Sequence, residues 1–498
     1  MSTSEKIIDA VNQAIDGSHS RKEAVQLITE DDLADVLFDS ASGDSIEPLC
    51  HGIAASPGAA SGKLCLSVDA VLEVVDAGEQ AIMVAMETGP ADEPGMRWAA
   101  GIVTAYGGLA SHAAIYSRGL GLPAVCGVEI LKVEEGQIKV GETAISEGDV
   151  ISVDGASGEV FAGEIEISDA AAPDELATLL EWADELRSSR VEVWANADTE
   201  EEATEARLAG ATGIGLCRTE HMFLGDRLPV IRQLLKATGP DERQTALEEL
   251  LKAQQADFER VLTPMDGLPV TVRLLDAPLH EFLEETEEQN PMLGLRGIRL
   301  AIATEGLYRT QTRALIAAVQ ERISQGGNPK VEIMVPLVSL EEELALVLEW
   351  IIEELNDSPI PIPVGTMIET PRAALIAGEL AKHIDFISFG TNDLTQMTFG
   401  FSRDDVEVSV INEYIGKKLL EKSPFETLDI GGVGQLITTA ISQSKQVNPD
   451  IKIGICGEHG GDPASIRFLV DAGVDYVSCS PPRIPIARLI SSQILLNS

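Results

Sequence analysis

Two groups of residues in this 498-residue chain are of types and spacings that can do chemistry. The first centres on His112, within TAYGGLASHAAIYSRGLGLPAVCG at residues 104–127. The apolar run Gly101 to Ala105 predicts a short buried strand, and Gly107-Gly108 a tight turn. A helix is expected from near Ser111 to the breaks at Gly119 and Gly121. His112 then falls in the first helical turn, where unpaired N–H groups and the positive dipole end favour a dianionic phosphate. An imidazole titrating near neutrality can attack phosphorus and later depart from it. A partly buried, hydrogen-bonded structural histidine fits the same spacing.

The second group draws its meaning from the elements that must position it. From Val191 onward strands alternate with helical stretches such as Thr199–Leu208, Leu340–Glu354 and Pro371–His383. Eight strand candidates begin near Val191, Gly213, Val270, Val331, Pro363, Phe386, Lys452 and Asp475. Eight βα units over roughly 300 residues predict a TIM (β/α)8 barrel, whose chemistry lies at the C-terminal strand ends. Arg218, Glu369, Asn392, Asp393 and Cys456 fall at such ends, Arg273 falls within the third strand, and Arg296 follows on the loop after it. One such residue alone would more often be a surface ion pair. Their convergence on one rim speaks against that.

Chemistry suggests their roles. Arginines 218, 273 and 296 can fork bidentately onto phosphate and carboxylate oxygens. Glu369 and Asp393 are hard oxygen donors suited to Mg²⁺. Asn392 can hold a substrate without adding charge, and Cys456 can protonate the methylene carbon of an enolate. For Cys126 and Cys479 a small buried hydrophobe is the preferred reading.

Asp and Glu outnumber Lys and Arg by 81 to 36, a formal net charge of −45. Such a surface repels nucleic acid and anionic membranes, so neither is an expected partner. An anionic substrate must be held by locally concentrated arginines. Six scattered cysteines without a C-x-x-C pair suit a reduced interior. The acidic N-terminus reads as neither signal nor typical transit peptide, and no apolar run approaches the ~20 residues of a membrane span. A soluble, cytoplasmic protein is expected.

Residues 1–50 predict two or three short amphipathic helices. Residues 51–165 form a Gly- and Val-rich α/β unit of short strands that closes on a hairpin at 150–160. Residues 166–190 read as a linker, flexible at Ala170–Pro173 and then helical to about Ser189. The barrel would occupy 191–498.

GGLASHAAIYSRGLGLPAVCG resembles the phosphohistidine signature of the phosphoenolpyruvate (PEP)-utilising enzymes, a family that includes pyruvate, phosphate dikinase, PEP synthase and enzyme I. The strings GIGLCRTEHMF, RLLDAPLHEF, NPMLGLRGIRL, VGTMIETPRAAL, FISFGTNDLTQMTFGFSRDD and GICGEHGGDPASIRFLVDAGVDYVSCSPPRIPIARL resemble its dikinase branch, from about residue 20 to the C-terminus. The resemblance implies that His112 carries a phosphoryl group between two stations on a swivelling domain. It implies that Arg218, Arg273, Glu369, Gly390, Thr391, Asn392 and Asp393 bind PEP or pyruvate, joined by Arg296 and Arg403. Glu369 and Asp393 would hold Mg²⁺, Cys456 would donate the proton, and a homodimer would form through the barrel.

Two departures stand out. Ala110 replaces the threonine usual in dikinases, a regulatory phosphorylation site in plant enzymes, and Tyr116-Ser117 replace smaller, more apolar residues. Enzyme I fits less well, because residues 51–165 leave no room for its helical insertion. A complete dikinase begins with an ATP-grasp region, whereas nothing before Gly52 can cradle ATP and no P-loop pattern occurs. The expected activity is therefore the PEP/pyruvate half-reaction, with a separate ATP-grasp polypeptide supplying the other half. A non-catalytic PEP- or pyruvate-binding regulator is the alternative of a different class.

Overall fold

The computed structural model describes residues 2–41, 47–89, 92–108, 111–187, 190–223, 227–283, 288–402, 406 and 410–497. Two compact units emerge, one from Met1–Ser188, Phe401–Thr427 and Arg488–Ser498, the other from Ser189–Gly400 and Leu428–Ala487. No helix among the described residues is long and apolar enough to cross a membrane.

The first unit begins with three helices, α1 (Thr3–Ile15), α2 (Arg21–Leu27) and α3 (Glu30–Leu37). Each starts where a hydroxyl precedes an acid by three residues. Ser2, Ser20 and Thr29 accept from the N–H groups of Glu5, Glu23 and Asp32, whose carboxylates reach back to close a capping box. Ile7, Val11, Val25 and Leu33 form the buried stripe.

The α/β part that carries His112 is one eight-stranded sheet. After the short β1 (Ser40–Ala41) come β2 (Cys50–His51), β3 (Ile53–Ser56), β4 (Ala59–Cys65), β5 (Ala81–Ala85), β6 (Gly101–Thr104) and β7 (Ala124–Cys126). A separate three-stranded sheet of β8 (Leu131–Glu134), β9 (Gln137–Val140) and β10 (Thr143–Ser146) follows. The expected hairpin, β11 (Val150–Asp154) and β12 (Glu159–Ala162), then rejoins the large sheet. Its order is β2-β12-β11-β4-β5-β6-β7-β3. The run from β4 to β7 is parallel, crossed by helices α4 (Val68–Asp76), α5 (Glu93–Trp98) and α6 (His112–Leu120). Such strands are covered on both faces and so read as unbroken apolar runs. Val84 and Val103 pack toward Val125 and Val153 on one side, and Met83 and Ile102 toward Met96 and Ala114 on the other.

Residues 166–187, expected as a linker with a flexible start, are tied to the N-terminal segment at several points, while 168–172 stay exposed. β13 (Ile167–Ser168) pairs antiparallel with β1. The Ala170 N–H donates to Asp39 Oδ1 at 2.6 Å, and Ser4 Oγ donates to the Ala171 carbonyl at 2.9 Å. Helix α7 (Glu175–Arg187) lies on α1 and α2, burying Leu176, Leu179, Leu180 and Ala183. The C-terminal helix joins this cluster, with Arg488 Nη2 2.6 Å from Asp184 Oδ2 and Gln493 Nε2 donating to the Val25 and Ile28 carbonyls at 2.8 Å. An apolar stripe on a charged helix needs a partner surface, and the N-terminal helices supply one. The expected helix end near Ser189 lies outside the described residues.

The second unit is a closed barrel of eight parallel strands: β14 (Glu192–Asn196), β15 (Ile214–Arg218), β16 (Pro269–Arg273), β17 (Lys330–Val335), β18 (Val364–Ile368), β19 (Phe386–Phe389), β20 (Lys452–Ile455) and β21 (Tyr476–Cys479). Each strand starts within about two residues of its expected position. Its interior is filled by large side chains facing glycines: a Cβ on Gly454 would stand 1.9 Å from Tyr476 Cζ. Tyr476 in turn stacks on Trp194 at 4.1 Å between ring centroids.

Candidate active site

The barrel carries the second group of residues at its C-terminal rim. Arg218 and Arg273 are the last residues of β15 and β16. Glu369 follows β18, Gly390 follows β19, Thr391, Asn392 and Asp393 open the next helix, and Cys456 follows β20. Parallel strands in a barrel end together, so residues far apart in sequence reach one face.

The three arginines meet carboxylates of the protein itself. Asp198 accepts from the Arg218 backbone N–H at 2.6 Å and from its Nε at 2.9 Å, and Nη2 lies 2.7 Å from Oδ2. His221 Nδ1 shares that Oδ2 at 2.9 Å. Arg273 donates from Nη2 to Glu220, and its Nη1 lies 3.3 Å from Asp276 Oδ2. Its buried Nε finds no acceptor among the described residues. Arg296 forks onto Asp276 (Nε to Oδ1, 3.0 Å; Nη2 to Oδ2, 2.8 Å) and also contacts both Asp393 oxygens at 3.3 and 3.2 Å. The guanidinium groups are thus held in place rather than left as free forks. A guanidinium has five N–H donors, so Arg218 and Arg273 keep donors for a ligand. Arg296 is the most fully engaged of the three.

Asp276, Glu369 and Asp393 each offer an oxygen within 4.8 Å of the others. Burial, together with the charges of Asp276 and Asp393, pushes the Glu369 carboxyl up to about 8. Three crowded carboxylates, two of them buried, offer hard oxygen donors beside the Arg296 and Arg273 charges, a set that fits Mg²⁺. Glu369 Oε1 accepts from the Leu337 N–H at 2.6 Å, which fixes the side chain's direction. A Cβ on Gly390 would come within 2.8 Å of Glu369 Oε2, so the close approach of that backbone requires glycine.

Cys456 is buried, and its backbone N–H donates to the Phe389 carbonyl at 3.2 Å. Burial pushes the thiol up to about 11, so it carries its proton at neutral pH. Asn392 Oδ1 accepts from the Glu458 N–H at 3.2 Å, and Thr391 Oγ1 lies 2.7 Å from His459 Nδ1. These two bonds tie the head of the helix after β19 to the segment after β20.

In the other unit, α6 begins at His112, capped by Ser111, whose Oγ accepts from the Ala114 N–H at 3.3 Å, and it ends at Gly121 with φ of 68°. His112 Nδ1 lies 3.1 Å from Thr88 Oγ1, and Nε2 lies 3.2 Å from Glu93 Oε1. The Tyr116 ring stacks beside the imidazole with centroids 5.8 Å apart.

Sequence reasoning missed Asp198, Asp276, Thr88 and Glu93. Asp276 stands three residues beyond Arg273 at the same strand end, so its position was a readable signal. The other three are joined to their partners only by the fold. Arg403 and Ala110 lie outside the described residues.

Fold and site together define a (β/α)8 barrel protein with arginines, a carboxylate cluster and a buried thiol gathered on one rim. A family model described as PEP-utilising enzyme, PEP-binding domain, matches residues 173–496, and one described as PEP-utilising enzyme, mobile domain, matches 77–158. The chain is 43% identical to a chloroplastic pyruvate, phosphate dikinase of Mesembryanthemum crystallinum, over 98% of this chain and 55% of that one. It is also 43% identical to pyruvate, phosphate dikinase 1 of Arabidopsis thaliana (98% and 54% covered) and 41% identical to pyruvate, phosphate dikinase 2 of Zea mays (98% and 59%). The chain belongs to the PEP-utilising enzyme family. It spans about half the length of the curated relatives it matches.

Proposed function

We propose that the chain catalyses reversible, Mg²⁺-dependent phosphoryl transfer between PEP and His112, the PEP/pyruvate half-reaction of a dikinase. The observation that carries this reading is a buried thiol on the same rim as held arginines and a carboxylate cluster. A protein that only sensed PEP would need neither that acid nor a histidine at a helix head.

In the PEP-consuming direction, Arg218 and Arg273 bind the phosphate and carboxylate of PEP with their remaining donors, and Asn392 orients it. The His112 lone pair forms the N–P bond while the bridging P–O bond breaks, leaving its electron pair on the enolate oxygen. The Cys456 thiol gives its proton to the methylene carbon, yielding pyruvate and a thiolate that must regain a proton from solvent. Glu369 and Asp393, with Asp276 alongside, would hold Mg²⁺, which when bound supplies counter-charge to the anionic oxygens. Arg296 acts through Asp276 and Asp393, keeping both carboxylates in place.

By the resemblance, the nucleotide half-reaction belongs to an ATP-grasp region outside these 498 residues, and a homodimer forms through the barrel. Six free, buried cysteines support a reducing, cytoplasmic setting. Incubation with PEP carrying radiolabelled phosphate should label the protein and release pyruvate in equal amounts. Absence of label, or undiminished label in His112→Ala, rejects the proposal.

A further inference from the structure

Both ring nitrogens of His112 have partners in its unit, and the two differ in kind. Thr88 offers a hydroxyl at Nδ1, able to donate or accept. Glu93 offers a carboxylate at Nε2, with side-chain exposures of 16% for Glu93 and 25% for His112. An ionised carboxylate can only accept, so this contact requires a proton on Nε2. In the neutral ring Nδ1 then carries the lone pair and receives the Thr88 O–H. The contact is built rather than incidental. Tyr116, one helical turn beyond His112 and a departure from the resembling signature, donates from Oη to the Glu93 carbonyl at 3.3 Å while its ring stacks on the imidazole. One side chain therefore touches both members of the pair.

Resting on the phosphohistidine reading above, we propose that Glu93, anchored by Tyr116, is a positioning residue that holds His112 in the Nε2–H tautomer and competes with the phosphoryl group for Nε2. Nε2 is remote from the Cβ substituent and is the less hindered nitrogen for attack on phosphorus. Before attack the Nε2 proton is given up to Glu93 or water, and Nδ1 takes a proton from water, which it then donates to Thr88. The freed Nε2 lone pair forms the N–P bond as the P–O bond of PEP breaks with its electrons on the enolate oxygen. In the product a phosphoryl dianion stands where the imidazole N–H had met a carboxylate. Attraction becomes like-charge repulsion at short range. Glu93 thus weights the pair toward free His112 and raises the tendency of the phosphohistidine to pass its group on.

The test uses the full chain with ¹⁵N-histidine. Nitrogen–proton correlation spectra should show His112 protonated on Nε2 in wild type and a mixture of tautomers in Glu93→Ala. Tyr116→Phe should move the same way by less. At a fixed PEP-to-pyruvate ratio, labelled protein at equilibrium should rise at least about threefold in Glu93→Ala, the scale of a partly screened charge contact. Glu93→Gln, which restores an acceptor without the charge, should recover the tautomer but keep the raised labelling. An unchanged tautomer in Glu93→Ala, phosphorylation on Nδ1, or unchanged equilibrium labelling would each overturn the proposal. Should wild type take no label at all, the phosphotransfer reading fails, while the tautomer measurement still decides whether Glu93 positions the ring.

Discussion

At the scale of single residues, the site is a set of charges that hold one another. Asp198 is the clearest case, since one buried carboxylate restrains both Arg218 and His221. Burial works against charge on His221, as does Arg218, yet Asp198 wins and the imidazole is held above its ordinary value of 6.5. A histidine with a raised folded pKa contributes stability that is full below its unfolded pKa and is lost as pH rises through the folded one. Asp198→Asn should cost about 3 kcal/mol, the scale of breaking a buried pair from one side. It should also abolish the His221-dependent loss of stability above about pH 6.5. Denaturant melts across pH check both, and an unaltered pH profile in the variant would contradict the assignment. Cys456 is the second case. Cys456→Ala should still bind PEP, while exchange of pyruvate methyl protons with solvent, followed by proton NMR, should collapse by about 100-fold or more. Retained exchange would mean that another acid serves.

At the scale of elements, the backbone does part of this work. Leu337, buried after β17, has φ of 56°, in the left-handed region that side chains other than glycine avoid. Its N–H meets Glu369 Oε1, so the unusual backbone aims a donor at the carboxylate cluster. Such a conformation costs on the order of 1–3 kcal/mol. Leu337→Ala and Leu337→Gly leave nearly the same cavity, but only glycine relieves the strain. The glycine variant should therefore melt as the more stable of the two by about 1 kcal/mol, the reverse of the usual order. Equal stabilities, or alanine ahead, would show that the backbone there is unstrained.

At the scale of the whole molecule, the described residues gather arginines and a carboxylate cluster on the barrel rim, which under the proposed function serve the PEP half-reaction. Phosphoryl transfer from ATP draws most of its rate from aligning the nucleotide's phosphates and metal with the nucleophile. Under the proposed function, the 498 residues should exchange label between pyruvate and PEP with no ATP present. Absence of label in PEP re-isolated after incubation with labelled pyruvate would refute the half-reaction.

The barrel was legible in the sequence because parallel strands buried on both faces are apolar runs, spaced by helices that repeat every few tens of residues. The positions of Arg218, Glu369, Asp393 and Cys456 at strand ends followed from those runs, and the head of α6 followed from Ser111 and the glycines around it. What holds each of these side chains did not follow. Asp198 lies 20 residues before Arg218, Asp276 lies 117 before Asp393, and Glu93 lies 19 before His112. Their pairing depends on strand register and on the crossing of helices over a sheet, which local periodicity does not encode. The helix α7 makes the same point, since it reads as part of a spacer until α1 and α2 supply a surface for Leu176, Leu179 and Leu180. Apolar pattern and chain-breaking residues set which elements form and which residue types end them. Only tertiary packing decides which carboxylate meets which cation, because such pairs form across space between strands and helices that the chain order keeps apart.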